Sequence, residues 1–157
     1  MRRLAVAVAA LALAAAVAAA PTDDEADELR LDPEYAAGKS AIEARDWPTA
    51  IRLLSSAALR DTRNPDIQNY LGYAYRNSGD LSPAFLHYNR ALQLNPRHRG
   101  AHEYLGEAYL MIGNLAKAEE HLAALQKICL LPCEELGLLQ GKIAAQRALT
   151  EKKAGQK

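Results

Sequence analysis

Hydrophobic and polar positions divide the chain into four stretches. Leu4 to Val17 form an uncharged run of small and aliphatic residues. Residues 20–31, which contain PTDDEADELRL, are acidic and hold too few apolar side chains to pack by themselves. From Asp32-Pro33 onward the pattern repeats with a period of 34 residues, which brings Gly38, Gly72 and Gly106 into one column and Ala50, Ala84 and Ala118 into another. The same register superposes Trp47, Leu81 and Leu115, then Leu54, Tyr88 and Leu122, then Ala57, Ala91 and Leu125. Beyond Pro132, Leu136, Leu139 and Ile143 stand at helical spacing. The pattern therefore predicts three units over residues 31–64, 65–98 and 99–132, then a capping helix over 132–152 and a fraying tail over 153–157.

Composition adds class and compartment. Half of the 157 residues are apolar, enough for a core, and abundant Ala and Leu with few aromatics favour helix over sheet. Nineteen basic and nineteen acidic residues cancel without a basic stripe, which removes the electrostatic case for nucleic acid. Met1, Arg2 and Arg3 ahead of the apolar run give the layout of a secretory signal peptide, expected over residues 1–19. Pro21 would hinder a cut just before it, so cleavage is expected after Ala18 or Ala19. The competing reading is a retained anchor, but the run is shorter than the roughly 20 apolar residues that span a bilayer. No cysteine ends the run to carry a lipid. The expected location is periplasmic or secreted, with no stable membrane anchor after cleavage.

The second unit carries Leu71-Gly72, Tyr75, Gly79-Asp80, Ala84, Tyr88, Ala91 and Pro96; the third carries Leu105-Gly106, Tyr109, Gly113-Asn114, Ala118 and Leu122. The first is weaker, with Ala37-Gly38, Asp46-Trp47 and Ala50. At these spacings residues 31–132 resemble the tetratricopeptide repeat family, and the chain looks like its small exported bacterial members. The resemblance implies an all-α, right-handed superhelical stack of three helical hairpins plus the capping helix. Gly72, Ala84 and Ala91 would let paired helices approach while Leu71, Tyr75 and Tyr88 fill the space around them. Gly79 and Gly113 suit helix ends that need a positive φ, and Asp80 and Asn114 suit N-caps.

By analogy with the family, the first helix of each unit lines an inner groove. The inward positions are Tyr35, Lys39, Ile42 and Glu43, then Asn69, Tyr73, Arg76 and Asn77, then Glu103, Glu107, Leu110 and Met111. Mixed charge with Tyr, Leu and Met suits an extended peptide or a partner helix. Family members that grip the C-terminal carboxylate of cytosolic heat-shock chaperones use Lys and Asn, then Asn, then Lys and Arg. Tyr35, Lys39, Tyr70, Gly100 and Tyr104 stand at those positions here, so that clamp is not implied. The implied role is a non-catalytic scaffold or adaptor for a protein or peptide partner, with homo-oligomerisation left open.

Catalytic and cofactor signals are weak. The sequence has no Gly-rich phosphate loop, no His-Glu-x-x-His motif and no nucleophile elbow. Of its four histidines, only His98 and His102 share helical spacing. Cys129 and Cys133 fall at the junction between the third unit and the capping helix, at the places of Asn95 and Arg99 one repeat earlier. In an oxidising compartment they read first as a disulfide that fixes the angle of the cap. Two alternatives stay open: a thiolate pair for Cu(I), assisted by Met111 or His121, or disulfide exchange through Cys133, which Glu134 and Glu135 oppose.

Overall fold

A computed structural model describes residues 32–155. The expected signal peptide and acidic linker, and the last two residues of the tail, lie outside the described residues. Seven helices and no strand make up the rest: α1 (Pro33–Glu43), α2 (Trp47–Arg60), α3 (Pro65–Ser78), α4 (Leu81–Leu94), α5 (Arg99–Met111), α6 (Leu115–Ile128) and α7 (Glu134–Ala154). They form a right-handed superhelical stack of three hairpins closed by α7.

Short polar side chains start most of these helices. Asp32 accepts hydrogen bonds from the N–H groups of Glu34 and Tyr35 at 2.8 and 3.3 Å, and Asn64 does the same for Asp66 and Ile67 at 3.0 and 3.3 Å. Asp46 caps through Thr49 N–H and Asn114 through Lys117 N–H, the third helical residue in each case. Asp80 holds the equivalent position but makes no capping bond. The reason is local: the third residue of α4 is Pro83, which has no N–H to donate. Pro132 falls two residues before α7 rather than in its first turn, and Cys133 takes the N-cap position. Glu134 and Glu135 then supply the negative charge that a helix start favours, and the helix runs on to Ala154, past the expected start of fraying at 153.

The glycine column sets how closely each hairpin closes. A Cβ on Gly38 would meet the Leu54 side chain at 2.7 Å, and one on Gly72 would meet the Tyr88 ring at 2.6 Å. Leu54 and Tyr88 are fully buried against these bare backbones. The third unit departs from the column. Gly106 faces Leu139 of α7, whose side chain would lie 2.7 Å from an added Cβ, while Leu122 is only half-buried. The capping helix thus reaches into the third hairpin. Leu139 and Ile143 continue the columns of Leu71 and Leu105 and of Tyr75 and Tyr109, one period further on. α7 is in effect the first helix of a fourth unit.

Packing also gives the stack its curvature. The first helices touch in succession, α1 with α3, α3 with α5 and α5 with α7, whereas α2, α4 and α6 do not touch one another. A stack crowded on one side and open on the other bends toward the crowded side. The concave face is therefore built from α1, α3, α5 and α7.

The loops inside the hairpins share a left-handed residue: Gly79 at φ 96° and Gly113 at φ 75°, but Arg45 at φ 57° in the first unit. A side chain in this region costs roughly 1–2 kcal/mol, which glycine avoids at some cost in chain entropy. Arg45→Gly should raise unfolding stability by about 1 kcal/mol and Gly79→Ala should lower it by about as much, both read by urea denaturation.

Candidate peptide-binding groove

Aromatic rings and one buried ion network form the floor of the concave face. Tyr73 and Tyr104, from α3 and α5, bring their rings to 4.9 Å, and Trp47 meets Tyr73 at 6.2 Å. The Arg76 guanidinium lies over both tyrosine rings, at 5.3 and 5.4 Å, in cation–π geometry. Its Nη1 donates to Glu107 Oε2, and Lys142 of α7 donates to Glu107 Oε1. One carboxylate on α5 therefore ties together α3 and α7. Arg76 and Glu107 side chains are only 11% and 7% exposed, so each neutralises a charge the other could not leave bare. Both expected groove residues stand on the concave face, but they are joined to each other rather than standing as free charges.

The remaining expected groove residues divide by role. Tyr35 is buried, with Lys39 Nζ 5.7 Å from its ring and 5.6 Å from that of Tyr70. Ile42 packs into the first core cluster, and Glu43 is exposed. Asn77 is turned to its own helix, donating to the Tyr73 carbonyl at 2.8 Å. The others line two cavities on either side of the floor. Arg76, Glu107, Leu110 and Met111 meet Lys142, Ala145 and Leu149 of α7 around an apolar cavity of about 320 Å³. Asn69 and Glu103 meet Asp66, Tyr70, Glu134 and Leu138 around a polar one of about 280 Å³.

The contribution of α7 is what sequence reasoning missed. Glu134, Leu138, Lys142, Ala145 and Leu149 recur at intervals of four, four, three and four residues, so one stripe of the helix walls both cavities. Extending the 34-residue columns into α7 would have exposed this second face.

Burial and charge shape the polar cavity. Burial, and after it the nearby Glu107 carboxylate, push the Glu103 carboxyl up to about 7, with Lys142 opposing. Asp66 is held below its ordinary range by its hydrogen bond to His98 Nε2 at 2.9 Å. His98 also caps α5, accepting from Ala101 N–H at 3.0 Å. His102, its helical neighbour, faces elsewhere. Its Nε2 donates to the Pro96 carbonyl at 3.1 Å, so its Nδ1 must accept from His121 Nδ1, 3.0 Å away. Burial lowers the pKa of both rings, and burial with His102 beside it takes His121 down to about 4. Among the described residues no three of His, Cys, Asp and Glu gather as a metal site requires.

Cys129 ends α6 and Cys133 precedes α7, and their alpha carbons lie 6.0 Å apart with the sulfurs turned to each other. That separation is within the range a bridge tolerates.

Two family models, both described as tetratricopeptide repeat, match residues 35–96 and 78–128. The chain belongs to the tetratricopeptide repeat family. The protein O-mannosyl-transferase Tmtc3 of Drosophila melanogaster is 29% identical over 93 residues, which cover 59% of this repeat protein. The chain spans about a tenth of the length of that curated relative. Among solved structures, the type III secretion translocator chaperone SycD of Yersinia enterocolitica superposes with a TM-score of 0.68 at 16% identity, covering 84% of this chain and 90% of that one. SycD in complex with a peptide of the translocator YopD gives 0.66 at 18% identity, over 84% and 99%. The first tetratricopeptide domain of human RPAP3 gives 0.66 at 20% identity, over 76% and 93%. At these identities the likeness concerns the fold.

The raised Glu103 pKa has a definite sign in stability. The folded state holds this proton up to about pH 7, whereas an unfolded glutamate releases it near 4.3. Stability from the neutral carboxyl is fully present below the unfolded pKa and is lost as pH rises through the folded one. Glu103→Gln should match the parent near pH 4.5 and exceed it by on the order of 2 kcal/mol at pH 8. The histidine contributions are common to both proteins and cancel in this difference. Urea denaturation at the two pH values provides the check.

Proposed function

We propose that this chain is a non-catalytic binding module of the bacterial periplasm that takes a partner protein's extended segment or helix in its concave groove. The observation that carries the reading is the apolar cavity between α5 and α7, where Met111 and Leu149 are 57% and 55% exposed beside a fixed floor of Tyr73, Tyr104 and Arg76. Apolar side chains over a rigid aromatic floor suit the anchors of a helix or strand, and a preordered floor reduces the entropy lost on binding. The SycD structure with a YopD peptide supports this use of the fold. Exposed apolar residues also occur on the outer helices, Leu59 on α2 and Leu86 on α4, and these serve as internal controls. Met111→Asp with Leu149→Asp should lower co-purification of the native partner roughly tenfold or more, while Leu59→Asp with Leu86→Asp should leave it unchanged. Equal capture by both variants would contradict the groove.

Export rests on the charged start and apolar run of the first nineteen residues. In that compartment Cys129 and Cys133 form a disulfide. Its short loop contributes about 2 kcal/mol by chain entropy, and its larger effect is to fix where α7 starts. Rapid alkylation of the exported protein followed by intact-mass measurement tests this. The expected species carries no label and is two hydrogens lighter than the reduced chain; free labelling of both thiols would refute the bridge.

A further inference from the structure

The polar cavity lies on the concave face where α3 and α5 meet the first turn of α7. Four carboxylates surround it, and they are not equally occupied. Asp66 is bonded to His98 at 2.9 Å, and Glu135 pairs with Arg99 at 3.5 Å. Glu103 and Glu134 form no ion pair with any other described residue within 4 Å, although Glu103 is only 4% exposed.

Asn69 is 5% exposed, lines the same cavity, and its Oδ1 has no hydrogen-bond partner. A buried carbonyl oxygen without a donor is costly, and a half-turn of the Asn69 amide, which exchanges its oxygen and nitrogen, would present Oδ1 to a donor in the cavity. An alanine methyl at Gly100 would meet the Asn69 Nδ2 at 3.2 Å, so the nitrogen end of this amide faces Gly100 on the cavity wall.

We propose that this cavity is a subsite for the ammonium of a lysine side chain carried by the segment bound in the groove, a proposal that rests on the groove reading above. A cationic donor fits best, because neither Glu103 nor Glu134 has an ion-pair partner among the described residues and an ammonium beside Glu103 would favour its ionised form. Separate acceptors on α3, α5 and α7 suit the three divergent donors of an ammonium better than the planar fork of a guanidinium. Tyr70, Tyr104 and Leu138 line the walls, where the apolar stem can lie. The protein's own Lys39 sits outside, on the Tyr35 and Tyr70 rings, and leaves the cavity free.

The probe is Nα-acetyl-lysine-N-methylamide, titrated into the full isotope-labelled chain while the Gly100 amide and Asn69 side-chain signals are followed by NMR. Those signals should move saturably, with a dissociation constant of the order of millimolar for so small a ligand. The norleucine analogue, which has the stem without the charge, should leave them in place, and so should glycine-N-methylamide, which offers only an α-ammonium. Glu103→Gln with Glu134→Gln should weaken the lysine probe roughly tenfold or more; Glu103→Gln is expected to be no less stable than the parent near neutral pH, so loss of fold does not confound the result. Equal shifts with norleucine, a stronger response to the α-ammonium probe or to calcium chloride, or unchanged affinity in the double variant would each overturn the proposal. If the lysine probe binds but Met111→Asp with Leu149→Asp leaves partner capture intact, the groove reading fails while the cationic subsite stands. If capture depends on the groove but the probe does not bind, the subsite alone fails.

Discussion

The stack depends on side chains that are missing. At Gly38, Gly72 and Gly106 a large apolar group lies directly on helix backbone, and a single methyl at any of them would overlap it by a wide margin. Cores packed this tightly tolerate little added volume, and overpacking costs roughly 1–3 kcal/mol per site. The three contacts fix how close each pair of helices lies. In the third hairpin the contact comes from Leu139, so the same device that closes the first two hairpins seats α7. Once α7 is seated, its opposite stripe becomes the wall of a groove.

Polar burial along that groove runs against stability. Asn69, Glu103 and Glu107 are nearly inaccessible, Arg76 is stacked on two tyrosines, and the Arg76 Nε and Tyr88 hydroxyl lack hydrogen-bond partners. A stack held together for its own sake would place apolar residues here, since a buried ion pair is often no better than a well-packed apolar one. The Arg76–Glu107–Lys142 network instead joins α3, α5 and α7 at fixed charge. One cavity beside it is apolar and the other acidic, so in the proposed binding mode a segment with its cationic group at the α7 start would lay its apolar side chains toward Leu149. Three of the positions at which chaperone-binding relatives carry clamp residues, Tyr70, Gly100 and Tyr104, line the acidic cavity. The polarity there is opposite to that of a carboxylate clamp.

Much of the fold was legible because period and small residues are local properties. The hairpins followed from the glycine and alanine columns, and the positive φ of Gly79 and Gly113 followed from their place after a helix. Arg45 shares their column and their conformation, but a bulky residue gives no outward sign of a left-handed turn. The capping bond at Asp80 failed for a reason also visible in sequence, the proline three residues on. The groove was less legible. Pairing of Arg76 with Glu107, 31 residues apart, depends on the pitch of the superhelix, and no 34-residue column encodes it. His102 meeting His121 instead of His98 is likewise a matter of how α5 and α6 cross. The second face of α7 was within reach, since Leu139 and Ile143 continue two columns of the repeat.

Site-specific cross-linking from the concave floor tests the central claim most directly. A photoreactive residue replacing Tyr73, and separately one replacing Leu86 on the outer face, would be activated in cells and the attached partner segment sequenced. Cross-links are expected from position 73 and not from 86, to one contiguous segment that carries a lysine beside apolar residues. Cross-links only from position 86, or from position 73 to unrelated segments in no greater yield than from 86, would contradict it.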